Sequence, residues 1–201
     1  KNLNTDYLDI LLMHDAKEYL LYRKIITRVF EKLLSDRTIK KAGASCYELR
    51  DIEPILGNDI YEAFQIPVNI LDMRITKGEG VHKLINKLVF ARSIFLQGLF
   101  FMDPSHLTGN LKEAGRYITE IKGIAAEMNI SVACLAVKYA LSLNYIDSLV
   151  IGADNPGQVE KNVKLFNSEP FRQDVLDSIE KRLEGAPAWL FMPYLWDKQK
   201  D

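Results

Sequence analysis

The sequence predicts an α/β fold of parallel βαβ units, and three observations point there. Short apolar runs alternate with longer stretches of helical period, five times along the chain. No linker, low-complexity tract or internal repeat interrupts that alternation, so residues 1–201 read as a single domain. The 201 residues are 48% apolar and 26% charged, an ordinary globular balance that can bury a sizeable core. Five such units fit an open doubly wound sheet, or five-eighths of a (β/α)8 TIM barrel, which typically needs about 250 residues. Periodicity alone does not choose between them.

The elements follow in order. Tyr7–Met13 is an apolar run ending at His14 and Asp15. Leu21, Ile25, Val29 and Leu33, with Ile26, Phe30 and Leu34 beside them, recur at helical spacing. Ile39–Ser45 is the second strand, and Glu48–Leu56 a short helix with Leu49, Ile52 and Leu56 on one face. Phe64–Leu71 is the third strand candidate; Pro67 within it tells against a strand unless it sits where no ladder donor is needed. Leu88–Ser93 is the fourth. Leu111–Met128 reads as one helix with a stripe of Tyr117, Ile121, Ile124 and Met128. Ser131 caps a helix bearing Leu135, Tyr139 and Leu143. Ser148–Ile151 is the fifth strand, and Asn155-Pro156 starts a helix with the Asn as cap and the Pro at the first helical position. Asp174–Glu184 is a last helix before the aromatic tail Trp189–Trp196.

Composition excludes several functions. A net charge of -1 lacks the basic excess of a nucleic-acid surface. No apolar run reaches the roughly 18 residues that span a membrane. Cys46 and Cys134 are too few for a disulfide framework, and with His82 and His106 they form no cluster at metal-ligand spacing, so no metal site is expected. A reducing, cytoplasmic setting follows. The chain starts at Lys1 without a Met and enters an apolar run almost at once, as a piece of a longer protein would.

Four stretches in order then narrow the fold: LNTDYLDILLMH, IKKAGASCYEL, FQIPVNILD with FARSIFLQGLF, and VIGADNPGQVEKN. Together they resemble the second half of an aldo-keto reductase, from the fourth barrel strand to the end of the eighth, over roughly Leu3 to Phe166. The resemblance implies a (β/α)8 barrel of which this chain supplies about the last five βα units, with its site at the carboxyl ends of the strands. It also implies hydride transfer between NADP or NAD and a small-molecule carbonyl or alcohol. His14 then stands where the family keeps a catalytic histidine that orients the substrate carbonyl. The family's Asp, its Tyr general acid and its Lys are expected upstream of Lys1, so the 201-residue chain alone is expected to be inactive. Without those first strands an open parallel sheet exposes unpaired edges, which predicts self-association or pairing with the missing N-terminal segment.

Each site residue has a plainer reading beside the functional one. A strand-terminal His often serves only as a structural hydrogen-bonder. Ser45 and Cys46 stand where the family has a Ser-Asn pair holding the nicotinamide carboxamide; a thiol is a weaker partner than an amide, and small residues also suit a strand end. Gln65 matches the Gln on the same carboxamide, a costly group to bury otherwise. Arg92 replaces an aromatic that stacks on the nicotinamide, and a planar guanidinium can do the same; otherwise it is an ion-paired arginine. Ser93, Phe95, Leu96, Gln97 and Gly98 resemble the loop that wraps the pyrophosphate. At the adenosine end, Gly152 and Gln158 occupy places where NADP-binding members carry basic residues, and Asp154 adds a negative charge. That weakens the expected preference for NADPH over NADH. Asn162 matches the adenine-binding Asn, while Lys161 replaces a usual Glu; a well-capped helix start explains the same residues structurally. The leading reading is an enzyme. The alternative is a non-catalytic nucleotide-binding or regulatory module derived from a reductase barrel.

Overall fold

Strand order decides between the two architectures. In the computed structural model, which describes residues 3–74 and 81–196, β1 (Leu8–Met13), β2 (Ile39–Ser45), β3 (Tyr61–Pro67), β4 (Leu88–Arg92) and β5 (Ser148–Leu149) form one sheet in the order β1-β2-β3-β4-β5. Every neighbouring pair is parallel. A doubly wound sheet reverses its order at a switch point, and here the chain never turns back. The path is that of a barrel wall, a curled five-strand part of one. Eight strands are not seen among the described residues.

Between Ala42 and Gly43 the β2–β3 register shifts. Gly43 is needed there because a Cβ would run into the Ala63 carbonyl of β3 and the Leu12 side chain of β1. Beyond the shift, Ser45 pairs with Gln65, and Pro67 at the end of β3 pairs with Arg92.

Helices α1 (Lys17–Ser35), α2 (Leu49–Leu56), α3 (Gly115–Glu127), α4 (Val132–Leu141), α5 (Pro156–Phe166) and α6 (Gln173–Arg182) complete the units. Sheet and helices share one core that includes Tyr19, Phe30, Ile52, Tyr61, Phe64, Phe100, Ile121, Leu135 and Tyr139. Ser131 Oγ accepts from the Cys134 N–H (3.0 Å) and Asn155 Oδ1 from the Gln158 N–H (3.0 Å), so both expected caps form.

Three expectations need correction. The third strand is Tyr61–Pro67 rather than Phe64–Leu71: the Val68 N–H still donates to the Arg92 carbonyl (2.9 Å), but Asn69 Oδ1 accepts from the Leu71 and Asp72 N–H groups, and this turn takes the chain out of the sheet after Val68. The helix expected over Leu111–Met128 is a 3-10 turn (Gly109–Ala114) followed by α3. The fifth strand stops at Leu149, although the Val150 N–H still donates to the Ala91 carbonyl (2.7 Å). In α1 the buried face carries Tyr19 and Phe30, while Leu21 is 76% and Ile25 65% exposed. The aromatic tail folds back in two short 3-10 turns, burying Leu190 and Phe191.

Candidate active site at the carboxyl ends of the strands

Parallel strands deliver their last residues to one end of the sheet, where an α/β site is normally built. His14 follows β1 and Ser45 ends β2; the Met13–Ala44 pairing puts His14 on the rung of Ser45. His14 is exposed. Ser45 Oγ donates to Gln65 Oε1 (3.3 Å), which joins β2 to β3.

Arg92, at the end of β4, links this group to the next. Its Nη2 donates to the Cys46 carbonyl (3.1 Å) and its Nη1 to Ser93 Oγ (3.2 Å). The Tyr47 ring lies against the guanidinium, with 4.5 Å from Cζ to the ring centroid. Cys46 turns its thiol into the core, where burial, reinforced by the Asp51 charge and opposed by Arg92, pushes it up to about 12. What Cys46 offers the site is its carbonyl.

Past Arg92 the backbone enters left-handed conformations at Ser93 (φ 63°), Leu96 (φ 45°), Gln97 (φ 52°) and Gly98 (φ 83°). Only glycine adopts these without strain, and such strain is characteristic of functional loops. This loop forms one wall of a cleft of about 850 Å³, within the usual range for small-molecule sites. Ser93, Phe95, Gln97 and Gly98 line it on one side and Gly152, Asp154, Gln158 and Asn162 on the other. Eight residues expected at a cofactor therefore share one cleft. The other five do not line it: Ser45, Cys46, Gln65 and Arg92 lie at or near the ends of β2, β3 and β4, and Leu96 is buried in the core.

The far wall is cross-braced. Gln158 Oε1 accepts from the Asp154 N–H (2.7 Å), and Asn162 Nδ2 donates to the Gly152 carbonyl (3.3 Å). Reading the sequence missed Ser131 and Ala133 as lining residues, because their segment meets α5 only in the fold, and it missed Lys164 and Leu165 on α5 itself. Lys164 was legible in principle: Lys161 and Lys164 are one turn apart, so a helix that shows one to the cleft shows the other. Among the described residues no group of three His, Cys, Asp or Glu side chains could hold a metal. No single helix among them is long and apolar enough to cross a membrane.

The sequence model described as the Aldo/keto reductase family matches residues 1–184. The chain belongs to that family. Solved structures agree on the fold. The aldo-keto reductase AKR11C1 from Bacillus halodurans, known in apo and holo forms, superposes with a TM-score of 0.74 at 21% identity over 92% of this chain and 65% of that one. The glycerol dehydrogenase AKR11B4 from Gluconobacter oxydans gives 0.67 at 20% identity, over 92% of this chain and 62% of that one. An aldo-keto reductase from a Medee basin deep-sea metagenome library gives 0.69 at 17% identity, over 92% and 63%. This chain therefore spans less than two thirds of these reductases. No curated protein matches the sequence.

Proposed function

We propose that this chain carries the dinucleotide-binding part of an NAD(P)-dependent reductase that converts a small-molecule carbonyl to an alcohol. The observation that carries this reading is the continuity of the site: one cleft lined by Ser93, Gly98, Gly152, Gln158 and Asn162, joined through Arg92 and the Cys46 backbone to the Ser45–Gln65 pair. The cleft suits an elongated, doubly charged ligand. Ser93 and the permissive backbone at Gly98 suit phosphate oxygens, Lys161 and Lys164 supply positive charge, and Val150, Ile151 and Leu165 give apolar wall for a base.

When bound, the nicotinamide dinucleotide supplies hydride to the carbonyl carbon. The chain's own residues hold and orient. Gln65 accepts from Ser45 through Oε1, which leaves its amide N–H groups to meet a carboxamide oxygen. Arg92 presents a flat cation to the ring. His14, beside Ser45, orients the substrate carbonyl, and the proton comes from a tyrosine on barrel units that precede these five.

The same reading completes the barrel. β1 and β5 each pair on one side only among the described residues, and the helices after them carry exposed apolar stripes: Leu21, Ile25 and Val29 on α1, Val159, Val163 and Phe166 on α5. Such edges and patches are unstable in isolation. An N-terminal segment of three βα units would cover both; without it, this chain self-associates. The setting is a reducing cytoplasm.

Calorimetric titration with NADPH and NADH tests the function. Binding is expected for the native chain and loss of most of it in Asn162→Ala and Gly98→Val. Absence of binding, or undiminished binding in folded variants, would refute the reading.

A further inference from the structure

Arg92 is engaged in its plane by Ser93 Oγ and the Cys46 carbonyl, and the Tyr47 ring lies 4.5 Å from its Cζ. Two observations show that this ring is more than core packing. Tyr47 is 39% exposed, so the interior does not hold it. A second ring, Tyr194, meets it edge-on at 6.1 Å and 83° while itself 61% exposed.

The C-terminal segment places Tyr194. Asn110 Nδ2 donates to the Leu195 carbonyl (2.9 Å) and Trp196 Nε1 to the Leu190 carbonyl (3.1 Å). Arg74, held by Asp72 through two 2.7 Å bonds, stands 5.3 Å from the Phe191 ring. Strand register sets the level. Ser45 pairs with Gln65 and Pro67 with Arg92, so Arg92 lies one layer above the Ser45–Gln65 pair, and Tyr47, just past the end of β2, meets it there. If Ser45 and Gln65 hold the carboxamide as proposed above, an aromatic ring on the guanidinium just above them takes the place of the nicotinamide ring.

We propose that Tyr47, backed by Tyr194, is a positioning residue that keeps the Arg92 plane set while no ring is bound and leaves it when the nicotinamide arrives. The inference rests on the dinucleotide reading above and adds this pair to it. Tyr47 then competes with the nicotinamide half of the ligand and leaves the adenosine half alone.

The test compares dissociation constants for NADPH, NADH and ADP-ribose in the native chain, Tyr47→Ala, Tyr47→Phe and Tyr194→Ala. Removing an exposed cation–π contact corresponds to roughly two- to fivefold in affinity. Tyr47→Ala should bind the intact dinucleotides tighter by about that factor, with ADP-ribose unchanged. Tyr47→Phe, which keeps the stack, should behave as the native chain, and Tyr194→Ala should move in the direction of Tyr47→Ala by less. A Tyr47→Ala chain with weaker dinucleotide binding, or with an unchanged ratio to ADP-ribose, would overturn the proposal alone. Failure of the native chain to bind ADP-ribose would overturn the reading of the cleft, and the proposal with it.

Discussion

Replacing Gly43 by alanine puts a Cβ against the Ala63 carbonyl on one side and 2.7 Å from Leu12 Cδ2 on the other. The leucine can rotate away. The carbonyl cannot, because it belongs to β3 and lies on the Gly43–Ala63 rung of the sheet. Gly→Ala at an unstrained site stabilises by about 0.4–1 kcal/mol through the unfolded chain. Overpacking usually costs about 1–3 kcal/mol, and a clash with backbone belongs at the top of that range, so a net loss of about 2 kcal/mol is expected. With a urea m-value of about 2 kcal/mol per molar, the unfolding midpoint followed by circular dichroism should fall by about 1 M. Because Gly43 lies two residues before Ser45, the same variant should disturb the Ser45–Gln65 bond and weaken dinucleotide binding. A Gly43→Ala chain as stable as the native one would mean that the register shift does not depend on a bare backbone, and the account of how β2 aims Ser45 would fail.

Other outcomes follow from the same geometry. Asp154→Arg should raise affinity for NADPH about fivefold or more while leaving NADH nearly unchanged, by exchanging a repelling for an attracting charge at a 2′-phosphate; equal effects on both would remove Asp154 from that position. The Cys46 thiol, held up at about 12 against an ordinary 9.0, stays protonated and buried, so in native protein at pH 8 a thiol-specific reagent should label Cys134 and spare Cys46. Its raised value contributes stability that is complete below pH 9 and is lost as pH rises toward 12, which alkaline denaturation midpoints of a Cys46→Ala chain would report by losing that component. Leu21→Glu with Ile25→Glu should lower self-association measured by light scattering, because both side chains are already exposed on the helix that follows β1; unchanged association would place the contact elsewhere.

Much of this was legible in the sequence because each βα unit marks its own ends. The Ser131 and Asn155 caps and the run of apolar residues into Ser45 or Arg92 are local signals, and the structure follows them. Signals that depend on which neighbour a residue meets were harder to read. In α1 a helical period identifies two apolar faces but not the one that finds the sheet, so the stripe of Leu21, Ile25 and Val29 turned out to be the outer one. Val68–Leu71 is as apolar and as buried as a strand, yet an Asn69 side chain bonded to its own backbone turns the chain out of the sheet after Val68. The Tyr47–Arg92 stack joins residues 45 positions apart, a contact that no local pattern reveals.

Backbone hydrogen exchange with and without a saturating nicotinamide dinucleotide tests the central claim most directly. The account predicts slowed exchange at residues 93–98 and 152–165 together with the ends of β2 and β3, because the proposed cofactor site runs through those segments. No protection, or protection confined to the separate pocket lined by His82, Lys87 and Tyr145, would contradict it.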